Sequence, residues 1–490
     1  MKKASLVLVA VAALSVGIGA QDRVDFGVIE QIKAEGMQRS KILETFDYLV
    51  TAIGPRLTNS PAYRRAVDWT QGQMKAMGLS NVHTEPFQFG RGWALNKLTI
   101  EMVEPRYMPL IGYTRGWSPS TPGRVVATPV WIPGLEDAAM KAQAGKLKGA
   151  ILLTSPIQQY AIRADRPAAS GDLKPPSPRP TGPPQLNAER LAVLKAEGIA
   201  VAIEPNIGEH GTVFVTGRDM GTNAVPSIVL ASEHYNLVAR MLGQKMPVKL
   251  AVEVQSTFNE EKEALNVIGE IEGGDNAIKD EIVMVGAHLD SWHTATGATD
   301  NADGSATVLE AMRILKALNI RPRRTIRAAL WGGEEQGLLG SRAWVAQHLA
   351  GAKNKAARDR FSVYFNLDNG YPPISGFYME DNDPARLIMT EWLKPFAALG
   401  AIMPAPGHIG ATDHLSFLDV GVPGFQAVQE YINYDVRTHH TNVDFAERIE
   451  PGALKQAATV MAGILYQAAM REGTFPKPAP PKPAAKPTQH

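Results

Sequence analysis

Glu334 and Glu335 stand side by side in Trp331-Gly332-Gly333-Glu334-Glu335-Gln336-Gly337, directly after the short apolar run Arg327–Leu330, which reads as a buried strand. Adjacent carboxylates at a strand exit repel each other, and a bound cation removes that cost. Two further apolar runs end in the same kind of chemistry. Ile282–Ala287 delivers His288-Leu289-Asp290, and Phe361–Leu367 delivers Asp368. A mostly parallel sheet brings the carboxyl ends of its strands to one edge, where ligands of open α/β folds collect.

The loop after His288 carries Asp300 and then passes into a helical pattern, with Val308, Leu309, Met312 and Leu315 at helical spacing. Asp300 therefore sits in a strand-to-helix crossover at the mouth of the same edge. Val420–Val428 reads as another buried strand, and the polar loop after it, His439-His440-Thr441-Asn442-Val443-Asp444, supplies an imidazole. Together His288, Asp300, Glu335, Asp368 and His440 offer two imidazoles and three carboxylates. These are too many for one tetrahedral Zn²⁺ and suit two ions when one carboxylate bridges. Asp300, flanked by small residues in the middle loop, is the expected bridge.

These residues resemble the co-catalytic zinc exopeptidase family, which includes secreted bacterial leucyl aminopeptidases and a carboxypeptidase Q branch. The likeness spans nearly the whole mature chain. It rests on His288-Leu289-Asp290-Ser291-Trp292, on Arg321–Thr325 leading to Leu330-Trp331 and Glu334–Gly337, and on His439-His440-Thr441 with Asp444. Ile53–Tyr63 also looks like the carboxypeptidase Q branch. The resemblance implies two Zn²⁺ per chain, with His288 and Asp368 on one or the other ion, Asp300 bridging and Glu335 and His440 as the remaining ligands. It also implies Glu334 as general base, a peptide substrate, and compatibility with a homodimer. The loop from Trp292 to Thr299 and the residues around Asp368 depart from the branch pattern, which bears on substrate preference rather than on any ligand.

The chemistry supports that division of labour. Two ions roughly 3.5–4 Å apart hold a shared water and polarise a carbonyl. Glu334, next to a ligand, is placed to move that water's proton, and Asp290 is expected to accept the other ring proton of His288 and fix its tautomer. His293, His414 and His439 are expected to line the pocket at most, and Asp303 to cap the following helix.

The elements that must position these groups follow from the rest of the chain. Met1-Lys2-Lys3 and an apolar stretch from Leu6 to Gly19 have the regions of a secretory signal peptide, with cleavage after Ala20, so a secreted or periplasmic location is expected. The chain has no cysteine, which excludes disulfides, and its 50 basic and 49 acidic residues leave a net charge of +1. Nothing in that balance recommends a nucleic acid or a membrane surface as partner. The 490 residues predict more than one domain.

The fold class expected is α/β: a mixed, mostly parallel sheet flanked by helices, with an inserted smaller α/β domain that the resemblance makes protease-associated. The expected division is 1–20 signal peptide, 21–114 and 258–473 catalytic domain, 115–257 insertion and 474–490 proline-rich disordered tail. Helical patterns at Lys41–Ile53 and Ala62–Met77, a strand near Val82–Phe89, and alternating short strands and helices across the insertion, with Ala188–Ala196 among the helices, complete the picture. A proline-rich loop at 174–180 is read as mobile surface. Rival readings are other metal-dependent acyl chemistry, such as N-acyl amino acid hydrolysis or glutaminyl cyclisation, and a catalytically dead, receptor-like binding protein. The last would be expected to have lost Glu334 or several ligands, and here all are present.

Overall fold

The computed structural model describes residues 23–158, 165 and 186–477. The expected signal peptide, the loop at 174–180 and residues 478–490 lie outside the described residues. No helix among the described residues is long and apolar enough to cross a membrane.

Eight strands form the main sheet, in the order Ser80–Gln88, Glu263–Ile271, Thr325–Trp331, Ile282–His288, Phe361–Asn366, Gly424–Glu430, Tyr371–Tyr378 and Met403–Ala405. The four central strands, Thr325–Trp331 through Gly424–Glu430, run parallel, and antiparallel strands flank them. Alternation along Ile282–His288 explains why it is apolar throughout. Val283, Val285 and Ala287 enter one core with Val308, Leu309 and Met312, whereas Met284 enters the opposite core with Trp331, Tyr364 and Phe417. A strand covered on both faces has no polar side to show.

On the first face the helix Asp303–Ala317 packs against Pro451–Met470, Phe26–Gln38 and Ile42–Asp47. The second face is covered by Leu339–His348 and His414–Leu418. The strand expected at Val420–Val428 begins only at Gly424, because Val420 and Val422 donate their amides to Phe417 in a turn that closes the preceding helix. Residues 474–477, expected to belong to a disordered tail, are placed in the fold. Phe475 is buried against Phe425 and Trp392, with ring centroids 5.3 and 5.5 Å away, and an aromatic side chain that finds such a site stays in it.

The remaining strands form two smaller sheets. Gly92–Glu104 and Lys249–Asn259 pair antiparallel from Gly92 opposite Asn259 to Glu104 opposite Lys249, so the chain runs out and back along one ribbon. Beyond it lies a five-stranded sheet, ordered Gly112–Thr114, Ser227–Leu230, Val201–Pro205, Ile151–Leu153 and Val130–Trp131, with the helices Asp137–Gln143, Ala188–Ala196 and Ser232–Gly243. Ribbon and sheet share one apolar core through Ile100, Met102 and Leu250 on one side and Ile151, Ile203 and Ile228 on the other.

Candidate metal centre

The register of the parallel strands decides where the chemistry meets. His288 lies opposite Trp331 and Gly286 opposite Asn366, so the three exits are level. The turn out of Trp331 is tight. Gly333 has φ +67°, and a Cβ on Gly332 would collide with the Tyr63 hydroxyl, so glycine at both positions lets the chain double back and present Glu334 and Glu335 over the sheet edge.

The candidate residues named from the sequence lie together. His288 Nε2 stands 3.2 Å from Asp300 Oδ1 and 3.4 Å from Asp368 Oδ1. His440 Nε2 stands 3.4 Å from Asp300 Oδ2 and 2.8 Å from Glu335 Oε2. Two groups of donors therefore share Asp300, whose two carboxylate oxygens face different histidines. Glu334 is near the first group, its Oε2 3.9 Å from His288 Nε2. His439, expected only to line the pocket, has its ring 3.8 Å from that of His440 and groups with Asp300 and His440 as an additional nitrogen within ligand range.

Burial makes this cluster costly without a cation. His288, Asp300 and Asp368 are at most 5 % exposed. His288 Nε2, Asp300 Oδ2 and Glu335 Oε1 have no hydrogen-bond partner among the described residues. Lone pairs withdrawn from water and left without donors are what a divalent ion satisfies, so the residues fit a metal. Burial, reinforced by neighbouring carboxylates, pushes Glu334 and Glu335 well above the ordinary carboxylate range against the pull of His288. Burial would lower His288, yet Asp368 and Glu334 outweigh it and hold the ring well above its usual value.

Two sequence expectations need correction. His288 Nδ1 is 3.0 Å from the main-chain oxygen of Asp290 and 3.5 Å from its carboxylate, so the carbonyl takes the ring proton. The carboxylate is turned instead toward Thr58, whose hydroxyl donates to it at 2.7 Å. Asp303 is the first residue of its helix rather than the cap. The side chain of Asn301 accepts from the Gly304 amide at 3.0 Å, while Asp303 reaches only the same adjacent amide.

His293 and His414 have other partners. Burial lowers His293 to about 4, and its neutral ring donates to the Thr114 carbonyl at 2.9 Å while packing edge-on to Trp93. His414 is fully buried with Nε2 3.2 Å from Glu380. A narrow recess rimmed by Trp292, Thr294 and Thr441 leads to Asp300, Glu335 and His440. A larger cavity of about 550 Å³ opens beside Ile282, Thr325 and Phe361, at the amino ends of the strands, and none of the ligand set reaches it.

Arg56 was not assigned a role from sequence, although it lies in the Ile53–Tyr63 stretch. It is fully buried, and its guanidinium donates to the carbonyls of Leu289, Gly54, Thr296 and Gly297 at 2.8–3.0 Å, tying down the loop between His288 and Asp300. Burial lowers it to about 10, opposed by the nearby carboxylates of Asp444, Asp290, Asp300 and Asp303, so it remains the cation among them. An arginine inside an otherwise small, uncharged stretch was the available signal. Arg56→Met is expected to cost about 3–5 kcal/mol, the scale of removing one partner from buried charges. Denaturant unfolding checks it, and a loss below about 1 kcal/mol would show that the loop holds itself.

The level strand ends, the shared carboxylate and the adjacent glutamates are those of a zinc exopeptidase. The model of peptidase family M28 matches residues 266–465. Carboxypeptidase Q of Bos taurus is 25% identical over 445 residues, covering 90% of this chain and 88% of that protein. The peptidase M28 precursor from Shewanella amazonensis SB2B superposes with a TM-score of 0.70 at 26% identity, covering 93% of this chain and 99% of that one. A zinc aminopeptidase from Bacillus subtilis shares the fold, with a TM-score of 0.60 at 21% identity over 88% of this chain and 95% of its own.

Proposed function

We propose that this exopeptidase is a dizinc enzyme of dipeptides and short peptides, exported after cleavage near Ala20. The observation that carries the reading is Asp300, with one oxygen toward His288 and the other toward His440. In this reading His288 and Asp368 hold one ion, Glu335 and His440 the other, and Asp300 both. When bound, the zinc ions lower the pKa of the attacking water and polarise the scissile carbonyl.

Glu334 is the proton carrier. Its side chain keeps 9 % exposure where that of Glu335 keeps 1 %, so of the adjacent pair Glu334 is the one a substrate can meet. It removes the proton from the attacking water and returns it to the leaving amine, a transfer worth about 10²–10⁴-fold. The Asp290 carbonyl fixes the proton of His288 on Nδ1, which leaves Nε2 as the electron-pair donor toward the centre. The similarity to carboxypeptidase Q and to a zinc aminopeptidase supports cleavage at chain ends.

The inserted region, 115–257, is assigned as a protease-associated domain between the two catalytic parts, 21–114 and 258–473. Its segment Val213–Val215 lies against the His440 loop, so it borders the cleft and limits substrate length. The expected result is that kcat/KM falls steadily from dipeptide to decapeptide, that folded proteins are left intact, and that blocking the preferred terminus abolishes cleavage. A peptide series blocked at either end, run with metal analysis of the purified enzyme, tests all three. Internal cleavage of a doubly blocked decapeptide would overturn the exopeptidase assignment. One zinc per chain would favour the cyclase-like alternative.

A further inference from the structure

Four of the five ligands in the proposed centre are held by the main sheet and its first crossover. His288 ends a strand, Glu335 and Asp368 follow strand ends within a few residues, and Asp300 leads directly into a buried helix. His440 is different. Its strand ends at Glu430, ten residues earlier, and the intervening chain holds only the short helical turn Tyr434–Thr438. His440 itself has φ +61°, a left-handed conformation that residues with side chains adopt rarely and only where their surroundings hold them.

The support comes from a region far away in sequence. Phe214 bridges antiparallel to Thr441. The Val215 amide donates to the His440 carbonyl at 2.9 Å, and the Asn442 amide to the Val213 carbonyl at 3.2 Å. The Asn442 side chain completes the join, accepting from the Val213 amide at 2.6 Å and donating to the Gly211 carbonyl at 3.3 Å. The Phe214 ring lies over the His440 imidazole, with centroids 5.3 Å apart and planes 30° from parallel, and Trp292 meets the same imidazole edge-on at 6.0 Å. On its own side, the Phe214 amide is anchored to buried Asn206 at 2.8 Å. At the start of the loop, Asp165 accepts from the amides of Asn433 and Val436 at 2.7 and 3.1 Å.

We infer that Phe214 and Asn442 are positioning residues for the metal ligand His440, so that the region carrying Val213–Val215 forms part of the metal centre rather than a cover over it. The inference rests on the dizinc reading above. It makes the two ions unequal. The ion held by His288, Asp300 and Asp368 depends on the main sheet and its first crossover, whereas the ion held by Glu335 and His440 depends also on contact between the two parts of the chain. Loosening that contact releases the second ion and spares the first.

Zinc titration of the metal-free, full-length protein by calorimetry tests this. Wild type is expected to take up two equivalents. Phe214→Ala and Asn442→Ala are each expected to weaken one equivalent by about 10–100-fold, the usual effect of losing a residue that orients a ligand, and to leave the other unchanged. Phe214→Tyr, which keeps the ring over the imidazole, is expected to restore both. The same titration with Co²⁺, followed by absorbance, is expected to show the loss as the disappearance of one of two successive spectral steps. Two equivalents bound with wild-type affinity in both alanine variants would overturn the inference and leave the metal centre standing. Equal weakening of both equivalents would overturn it too, because it would mark a general structural defect. A wild-type protein that takes up no zinc would refute the metal centre itself.

Discussion

Glu334→Gln is expected to lower kcat by at least about 10²-fold while zinc content stays at the wild-type level, whereas Glu335→Gln is expected to lose metal. Adjacent residues of one type give opposite results because the turn after Trp331 directs them differently. Glu335 Oε2 lies 2.8 Å from His440 Nε2 with its side chain sealed from solvent, while Glu334 points to the side of His288 and keeps some exposure. Glutamine preserves the shape of either side chain. At 334 it removes only the ability to take a proton, and at 335 it replaces an anionic ligand by a neutral one. The burial that raises Glu334 in the metal-free fold is opposed once cations sit beside it, which returns the group to the range a base requires. Metal analysis and steady-state kinetics on both variants decide the matter. Near-normal kcat for Glu334→Gln would remove the base assignment, and full zinc content with full activity for Glu335→Gln would remove the ligand assignment.

Chelation is expected to abolish activity and to leave a protein whose stability falls as pH rises, with zinc restoring both. The sign follows from the shifts. Glu334 and Glu335 are raised in the metal-free fold, so each folded carboxyl holds its proton above the pH at which the unfolded one releases it. That contribution is lost as pH climbs from the ordinary carboxylate range toward the raised value. His288 is also raised and contributes below its unfolded value, again losing as pH rises. Asp413 and Asp444, pushed up to about 7 by burial, act in the same direction between pH 4 and 7. Asp368, lowered chiefly by His288 against its burial, has the opposite sign, but its window lies below the ordinary aspartate range and outside this interval.

Between pH 5 and 8 the Tm of metal-free protein is therefore expected to drop by at least roughly 5 °C. Zinc affinity rises over the same interval because its ligands must be deprotonated, so the gap between loaded and metal-free Tm widens. Thermal unfolding with and without zinc across that range measures both curves. A metal-free Tm that is flat or rising, or full activity in a preparation shown to contain no metal, would count against the centre.

Much of the catalytic layer was legible in the sequence because buried parallel strands are apolar on both faces. Ile282–His288, Thr325–Trp331 and Phe361–Asn366 stand out as runs, and the polar residues at their exits stand out against them. Val308, Leu309, Met312 and Leu315 likewise marked the helix after Asp300. From those runs, with the topological rule for open sheets, the five ligand candidates and Glu334 could be named, because all but His440 lie near the end of an element and His440 stands in the polar stretch that follows one.

What only the tertiary structure decided is everything that joins residues distant in the chain. Which histidine shares which oxygen of Asp300 depends on sheet register and on the path of the 431–444 loop. The role of Arg56, which serves carbonyls more than 230 positions away, leaves no periodic trace near residue 56. Asp303 does not cap its helix because the helix starts at Asp303, and a boundary shift of one residue changes which side chain faces the free amides. The brace of His440 by Phe214 and Asn442 joins segments separated by about two hundred residues. Sequence pattern reports which face of an element is buried, through the period of its apolar residues. Which other element fills that face is set by packing, whose partners no local period encodes.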